Sequence, residues 1–230
     1  MLMARSTPIA LHENLTPTQI SILKCKARFL LITGPAGTAK TYTGLARGLR
    51  LLHANEVERI LIIRSAVPTR DIGFLPGSQE EKIDAYVTPY VQAIDKLSPK
   101  MKYREMYSKR LIEFESTSFL RGLTFDNAYI MLDEYQNMSA HELETAVTRV
   151  GEDSHLVLTG DSDQSDLKGS EAEEHREVIM TLTSMDEFAV YQFGVDDIVR
   201  SEFVRSYYKA KEATKTPPVA QWGSQPRLPF

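Results

Sequence analysis

Short apolar runs recur along the chain, and several are apolar on successive positions instead of alternating with polar residues. This pattern is typical of strands that are covered on both faces in a parallel sheet. The runs lie at residues 29–32, 60–63, 129–132, 156–158 and 188–193. Because segments with helical spacing lie between them, the sequence predicts an α/β domain with a mostly parallel sheet.

Amphipathic helices are predicted where apolar residues step by three and four positions. One stripe follows the first strand at Tyr42, Leu45, Leu49 and Leu52, and another comprises Ile83, Val87, Tyr90, Ile94 and Leu97. Pro89 lacks an amide hydrogen, so it should kink or split the second helix. Ser139 followed by Glu142 predicts a capping box at the start of a further helix. The buried side of that helix is expected to hold Leu143, Ala146, Val147 and Val150.

The composition excludes several classes of protein. The 230 residues are 42% hydrophobic and 25% charged, as in an ordinary folded domain, and the single cysteine excludes an internal disulfide. The five histidines lie far apart, without the spacing of a metal-binding motif. No apolar stretch approaches the roughly 20 residues of a membrane span, and the N-terminus lacks the apolar core of a secretory signal. We therefore expect a cytoplasmic protein that does not act at a membrane.

A glycine-rich loop between the first strand and the first amphipathic helix carries the clearest chemical signal. Its sequence, GPAGTAKT at residues 34–41, is close to the Walker A pattern G-x-x-x-x-G-K-[ST]. Small residues let successive amide groups point at phosphate oxygens, and the helix start adds partial positive charge. Lys40 would reach the β- and γ-phosphates of a bound nucleotide, and the Thr41 hydroxyl would ligate Mg²⁺. The predicted nucleotide-binding residues are Gly34, Pro35, Ala36, Gly37, Thr38, Ala39, Lys40, Thr41 and Tyr42.

Ala39 is the one departure from this pattern, since it replaces the second glycine. If Ala39 has helical dihedral angles, its methyl group costs little, whereas a positive φ would strain the loop. Its position directly before a helix favours the first of these alternatives.

Acidic and polar residues follow two later strands. Asp133 and Glu134 end the run at 129–132 in the form of a Walker B element, where Asp133 would hold Mg²⁺ and Glu134 would activate the attacking water. P-loop kinases often need no second acid, so the pair favours hydrolysis. Gln164 follows the next strand and would contact the γ-phosphate or the water. Because ligands bind at the carboxyl ends of parallel strands, these elements should meet at one edge. Together they predict a P-loop NTPase (RecA-like) three-layer sandwich.

With these motifs in place, the sequence resembles the PhoH family of phosphate-starvation-inducible proteins, which is similar to the first motor domain of superfamily 1 helicases. The resemblance covers about residues 12–212. It includes LTPTQ at 15–19, the loop at 34–41, Arg64, GFLPG at 73–77, Glu81, Lys82, RGLT at 121–124, DEYQN at 133–137, Thr148, Arg149, Gly151, Gly160, Asp161, Gln164 and DIVR at 197–200. Tyr135 departs from it, because the family usually has a small residue after Asp-Glu.

The resemblance implies ATP binding and hydrolysis. It further implies that Gln19 reads adenine in the manner of a Q motif and that Arg200 approaches the γ-phosphate. The domain is expected at residues 15–212, with an N-terminal extension at 1–14 and a Pro-rich tail at 213–230.

Single-stranded RNA or DNA is the expected partner, although the net charge of −4 gives no broad basic surface. The stretch from 96 to 110 mixes basic and aromatic residues, which can neutralise phosphates and stack on bases. A solvated helical face that covers buried tyrosines is the alternative interpretation. The candidate nucleic-acid contacts are Arg64, Phe74, Lys102, Tyr103 and Arg104.

The length leaves room for a single motor domain. We therefore expect a homo-oligomeric ring, with a hexamer as the candidate size, in which an arginine from one subunit completes the next site. Arg200, Arg149 and Arg121 are the candidates. Two other functions remain open at this point, a nucleotide or small-molecule kinase and an ATP-gated assembly module without turnover.

Overall fold

The computed structural model describes residues 9–65, 79–120 and 122–215, with the main chain alone at 79–86, 119 and 215. Six parallel strands form the central sheet in the order β3-β2-β4-β5-β1-β6. They are β1 Phe29–Thr33, β2 Arg59–Arg64, β3 Ile112–Ser116, β4 Ala128–Asp133, β5 His155–Gly160 and β6 Phe188–Gln192. The parallel sheet predicted from the apolar runs is confirmed.

Helices cover both faces of this sheet, which gives the three layers that the sequence predicts. They are α1 Pro17–Lys24, α2 Lys40–His53, α3 Gln79–Leu97, α4 Tyr103–Ser108, α5 Ala140–Val147, α6 Ser170–Thr183 and α7 Glu202–Lys215. Alternate residues of the strands feed two separate cores. Leu30 and Ile32 pack with α1 and α2, whereas Leu31 packs with the α5 and α6 side. Continuous apolar runs are needed because both faces of each central strand are buried.

The individual helices agree in part with the predictions. Leu45, Leu49 and Leu52 of α2 are buried as expected, and Ser139 forms a capping box with Glu142 at the start of α5. Pro89 does not split α3, which continues through it to Leu97. In the described ranges, no helix is long and apolar enough to cross a bilayer.

Strand β3 was not predicted, and its sequence explains why. Ile112 and Phe114 alternate there with Glu113 and Glu115, and only Ile112 is fully buried. This alternation is typical of an edge strand with one exposed face, and β3 is the edge of the sheet beside β2.

The predicted boundary at residue 213 falls within α7, which runs to Lys215. The tail at 216–230, the first eight residues, the motif at 73–77 with Phe74, and Arg121 lie outside the described residues.

Candidate nucleotide-binding site

The loop between β1 and α2 is shaped by two glycines with positive φ, Gly34 at 139° and Gly37 at 89°. A methyl group on Gly34 would lie 2.6 Å from the carbonyl oxygen of Phe193, so the chain after β6 packs directly against the loop. Thr38 is buried and closes the turn through a hydrogen bond of 2.9 Å from its hydroxyl to the Pro35 carbonyl. The sequence therefore forms the tight strand-to-helix turn that a phosphate-binding loop requires.

Ala39 corrects the expectation of helical dihedral angles. It is the N-cap residue of α2 and has φ 59° and ψ 38°, in the left-handed region. The backbone passes through this left-handed conformation before the helix starts. A glycine would adopt it without a steric penalty. The alanine therefore stores strain at the base of the loop, of about 1 kcal/mol.

Lys40 is the first residue of α2, and its ammonium group lies within the curve of the loop. Its Nζ donates hydrogen bonds of 2.6 Å and 2.9 Å to the carbonyls of Gly34 and Pro35. Burial lowers the pKa of Lys40, and the carboxylates of Asp161, Glu134 and Asp133 oppose this shift. Acids from the ends of β4 and β5 therefore converge on the loop lysine, as the sequence predicts.

Asp133 ends β4 as a buried carboxylate that accepts hydrogen bonds from hydroxyl groups. Thr41 Oγ1 lies 3.0 Å from Asp133 Oδ1, and Thr159 Oγ1 lies 2.5 Å from the same oxygen. The β4–β5 register sets the second contact, because it pairs Asp133 with Thr159. A hydroxyl and a carboxylate side by side are the hard oxygen ligands that Mg²⁺ takes beside a triphosphate. Thr41 and Asp133 thus fit the metal that the loop implies.

Tyr90 is a further neighbour of Asp133 that the sequence did not identify. It is 3% exposed, and its hydroxyl donates to Asp133 Oδ2 over 2.5 Å. Burial, together with the Asp133 carboxylate, raises the pKa of Tyr90 well above its usual range. Its place in the apolar stripe of α3 predicted only a core residue.

Glu134 is held by Gln136, which belongs to the motif at 133–137 but had no role predicted from the sequence. The Gln136 side chain is buried and donates to Glu134 Oε2 over 2.6 Å, while its own oxygen accepts the Asp161 amide over 3.1 Å. A hydrogen-bonded chain then continues from Asp161 to Gln164 over 2.7 Å and from Gln164 to the Tyr208 hydroxyl over 3.1 Å. It joins the ends of β4 and β5 to α7.

Tyr135 packs into the interior beside these hydrogen-bonded residues. It is 1% exposed, stacks on His175 with a centroid distance of 6.0 Å, and donates to the Thr33 hydroxyl over 3.3 Å. Room for the ring depends on Gly160, since a methyl group there would lie 2.8 Å from it. The larger residue is thus accommodated within the core and leaves both acids in place.

The segment that leads into α7 lies on the loop. The Val199 amide donates to the Gly37 carbonyl over 3.0 Å, and a methyl group on Gly37 would lie 3.3 Å from Cβ of Arg200. Arg200 is exposed beside the loop. Arg149 is remote from it, because its main chain bonds to Phe125 ahead of β4 and its side chain donates to the Leu123 carbonyl.

Gln19 lies beneath the loop, 2% exposed. Its Nε2 donates to the Thr38 carbonyl over 3.2 Å, and its Oε1 accepts the Thr16 amide in the capping box of α1. A cavity of about 1010 Å³ adjoins this point and is lined in part by Gln19, Ala39, Tyr42, Pro89, Val199 and Arg205. Burial raises the pKa of Tyr42 in its wall.

The candidate nucleic-acid contacts lie at two different places in the fold, the end of β2 and the start of α4. Arg64 ends β2 at the same edge as the loop, half-buried. Tyr103 is half-buried against Phe114, with a centroid distance of 5.9 Å, whereas Lys102 and Arg104 are exposed. For Tyr103 the geometry is that of a ring packed on the core, while the basic groups beside it face solvent.

The loop, the paired acids and the parallel sheet define a P-loop NTPase-type domain. The family model described as "PhoH-like protein" matches residues 13–212, and the chain therefore belongs to this family.

Curated relatives agree with this assignment. A PhoH-like protein of Mycobacterium leprae is 37% identical over 185 residues, which are 78% of this chain and 53% of the relative. A PhoH-like protein of Bacillus subtilis is 30% identical over 178 residues, which are 77% of this chain and 56% of the relative. The chain thus spans about half the length of the curated relatives it matches.

Among solved structures, the large terminase from a thermophilic bacteriophage is similar in fold. The TM-score is 0.52 at 12% identity, over 86% of this chain and 50% of that chain.

Proposed function

We propose that this protein is a Mg²⁺-dependent ATPase, with a helicase-like motor domain that acts on single-stranded RNA or DNA. The observation that carries the proposal is the hydrogen bond of 3.0 Å between the Thr41 hydroxyl, next to Lys40 of the loop, and Asp133 at the end of β4. Such a lysine neutralises β- and γ-phosphates, and acids facing it suit a site for a metal-bound triphosphate. ATP is the proposed nucleotide, with adenine in the cavity beside Gln19 and Tyr42.

Each residue has a defined task in this proposal. The loop amides and Lys40 hold the triphosphate, and Thr41 and Asp133 hold Mg²⁺. When bound, the metal would offset the phosphate charge. Gln136 fixes Glu134 by one oxygen, Oε2, which leaves Oε1 to take the proton of the attacking water. Gln164 would contact the γ-phosphate, and its bond to Tyr208 would transmit the change to α7.

Phosphate release tests the chemistry. We expect Lys40→Ala to lower ATP affinity at least tenfold, whereas Glu134→Gln binds ATP normally and loses about two orders of magnitude in turnover. Glu144→Gln, on the exposed face of α5, is the matched control and should change neither. Normal hydrolysis by Glu134→Gln would contradict the assigned base. Transfer of labelled phosphate to an acceptor would support a kinase, and ATP binding without release an assembly module.

The nucleic-acid part of the proposal is supported by Arg64 at the loop edge and by the exposed Lys102 and Arg104. Release should rise with single-stranded RNA or DNA and less with duplex. Lys102→Gln combined with Arg104→Gln should weaken oligonucleotide binding and flatten its salt dependence. Stimulation that is unchanged in this variant would remove α4 from the interface.

We further propose a ring of subunits in which Arg200 approaches the nucleotide of a neighbouring or its own subunit. Its exposure beside the loop supports this role. Sedimentation with and without ATP and Mg²⁺ tests the assembly, since a strict monomer that hydrolyses at full rate would contradict it.

A further inference from the structure

A second cavity lies far from the loop, between the C-terminal ends of α1 and α2 and the start of β5. Its volume is about 840 Å³, within the size range of small-molecule sites. It adjoins the end of the same helix that begins with Lys40. Since α2 has 14 residues, about 20 Å of helix separate the two sites.

Basic side chains and apolar residues together line this cavity, which we call the basic cavity. The cationic residues Lys24, Lys26, Arg47 and Arg50 line it together with one carboxylate, Glu56. This concentration stands out in a chain with a net charge of −4. Within the described ranges, none of these four cations forms an ion pair with a carboxylate.

Arg47 is the most deeply placed of these groups, at 4% exposure. Its Nη atoms donate to the carbonyls of Ile22, Cys25 and Ala27, which holds the guanidinium rigidly at the end of α1. Its Nε is buried and donates no hydrogen bond. A buried donor without an acceptor costs free energy, and the three carbonyl contacts are what hold the positive charge of Arg47 beside the basic cavity.

His155 adds a second buried nitrogen without a partner, Nδ1, and lines the same cavity at 9% exposure. Burial, together with the positive charges of Arg47 and Arg28, lowers the pKa of His155 to about 4. The local potential is therefore positive. Capping of α1 accounts for the carbonyl contacts of Arg47 and Arg50, but it gives no role to Lys24 and Lys26.

We propose that the basic cavity binds a small anion with two or more linked phosphate groups. Rigid guanidinium and flexible ammonium groups in one wall suit the several oxygens of such a ligand. Four cations against one carboxylate call for a ligand with about three negative charges. The inference is independent of the proposed ATPase, because none of the four cations belongs to the loop or lines the cavity beside Gln19.

Calorimetry with inorganic tripolyphosphate tests this site. We expect binding to wild type that persists in Lys40→Ala, which removes the competing loop lysine. Lys24→Gln combined with Lys26→Gln should weaken it about tenfold while phosphate release from ATP is unchanged. Both lysines are exposed, so the fold should tolerate the change. Lys100→Gln combined with Lys168→Gln removes the same charge at exposed positions elsewhere and should have no effect.

An NMR measurement tests directly where the anion binds. The Nε–H resonance of Arg47 should shift on addition of tripolyphosphate to wild type already saturated with ATP analogue. The proposal would be overturned if Lys40→Ala lost tripolyphosphate binding while the double variant of Lys24 and Lys26 kept it. The anion would then bind at the loop. Equal affinity for citrate would contradict the assignment of the ligand to phosphate compounds. If the cavity bound an RNA oligonucleotide but not tripolyphosphate, the assignment to a small ligand would be wrong.

Discussion

The Tyr90 hydroxyl lies 2.5 Å from Oδ2 of Asp133, so a residue of α3 holds an oxygen of the acid that ends β4. Thr41 and Thr159 donate to the other oxygen, Oδ1, and Thr41 also lies 3.3 Å from Oδ2. A metal ion that reaches Asp133 must therefore compete with hydroxyl groups. The tyrosine is not a ligand in our proposal, and it sets how readily the carboxylate becomes available.

Tyr90→Phe removes the hydroxyl and keeps the ring. We expect the free energy of unfolding to fall by about 2 kcal/mol, because a hydrogen bond to a buried charge is lost. We also expect nucleotide binding to require less Mg²⁺, since Oδ2 then keeps only the longer contact of 3.3 Å with Thr41. Urea unfolding and Mg²⁺ titration of ATP-analogue binding measure the two effects. Tyr107→Phe, at an exposed ring on α4, is the control and should alter neither. A higher Mg²⁺ requirement in Tyr90→Phe would show that the hydroxyl assists the metal.

Ala39→Gly should stabilise the protein, because glycine adopts the left-handed conformation of this position without a clash between its side chain and the backbone. The loss of chain entropy on folding offsets part of the gain, so the expected increase is about 0.5–1 kcal/mol in the free energy of unfolding. Thermal or urea unfolding measures it.

The same substitution at the other end of α2 provides the control. Ala54 has φ −80°, an ordinary right-handed conformation, so Ala54→Gly should destabilise the protein by a similar amount. If Ala39→Gly lowered the free energy of unfolding as Ala54→Gly is expected to do, backbone strain at Ala39 would be negligible.

Much of the fold could be predicted because burial leaves a direct trace in the sequence. Strands β1, β2, β4 and β5 are covered on both faces and read as continuous apolar runs. The capping box at Ser139 is a local interaction between residues three apart, so it too is visible without tertiary information.

The features that the sequence did not predict have a common physical origin, because they depend on contacts between residues that are distant in the chain. The spacing of the apolar residues around Tyr90 is the same whether or not its hydroxyl donates a hydrogen bond to a residue 43 positions away. Gln136 follows the paired acids closely, yet its role depends on the Asp161 amide, 25 positions later. The dihedral angles of Ala39 depend on how the loop joins α2, which the motif spacing leaves open. The glycine that the Walker A pattern places there was the available signal.

Gln136→Ala tests whether this residue positions Glu134. Without the amide, Glu134 loses the donor that fixes Oε2, and Asp161 loses the acceptor of its main-chain amide. We expect turnover to fall 10- to 100-fold while ATP affinity stays within about threefold, since general-base catalysis contributes about two to four orders of magnitude. Asn137→Ala is the neighbouring control, because its side chain contacts only the Asp166 amide among the described hydrogen bonds. Parallel losses in affinity and turnover would indicate a structural role instead.

His155 should make stability depend on pH, because its pKa is about 4 in the folded protein, below the ordinary value of 6.5. The unfolded chain binds the proton first as pH falls, so stability is complete above about pH 6.5 and is lost towards pH 4. At pH 5 the expected loss from this group is about 2 kcal/mol relative to pH 7.5. Urea unfolding at both values measures it, and His155→Gln should remove this part of the dependence. An identical slope in His155→Gln would mean that the pKa of His155 is the same in the folded and unfolded protein.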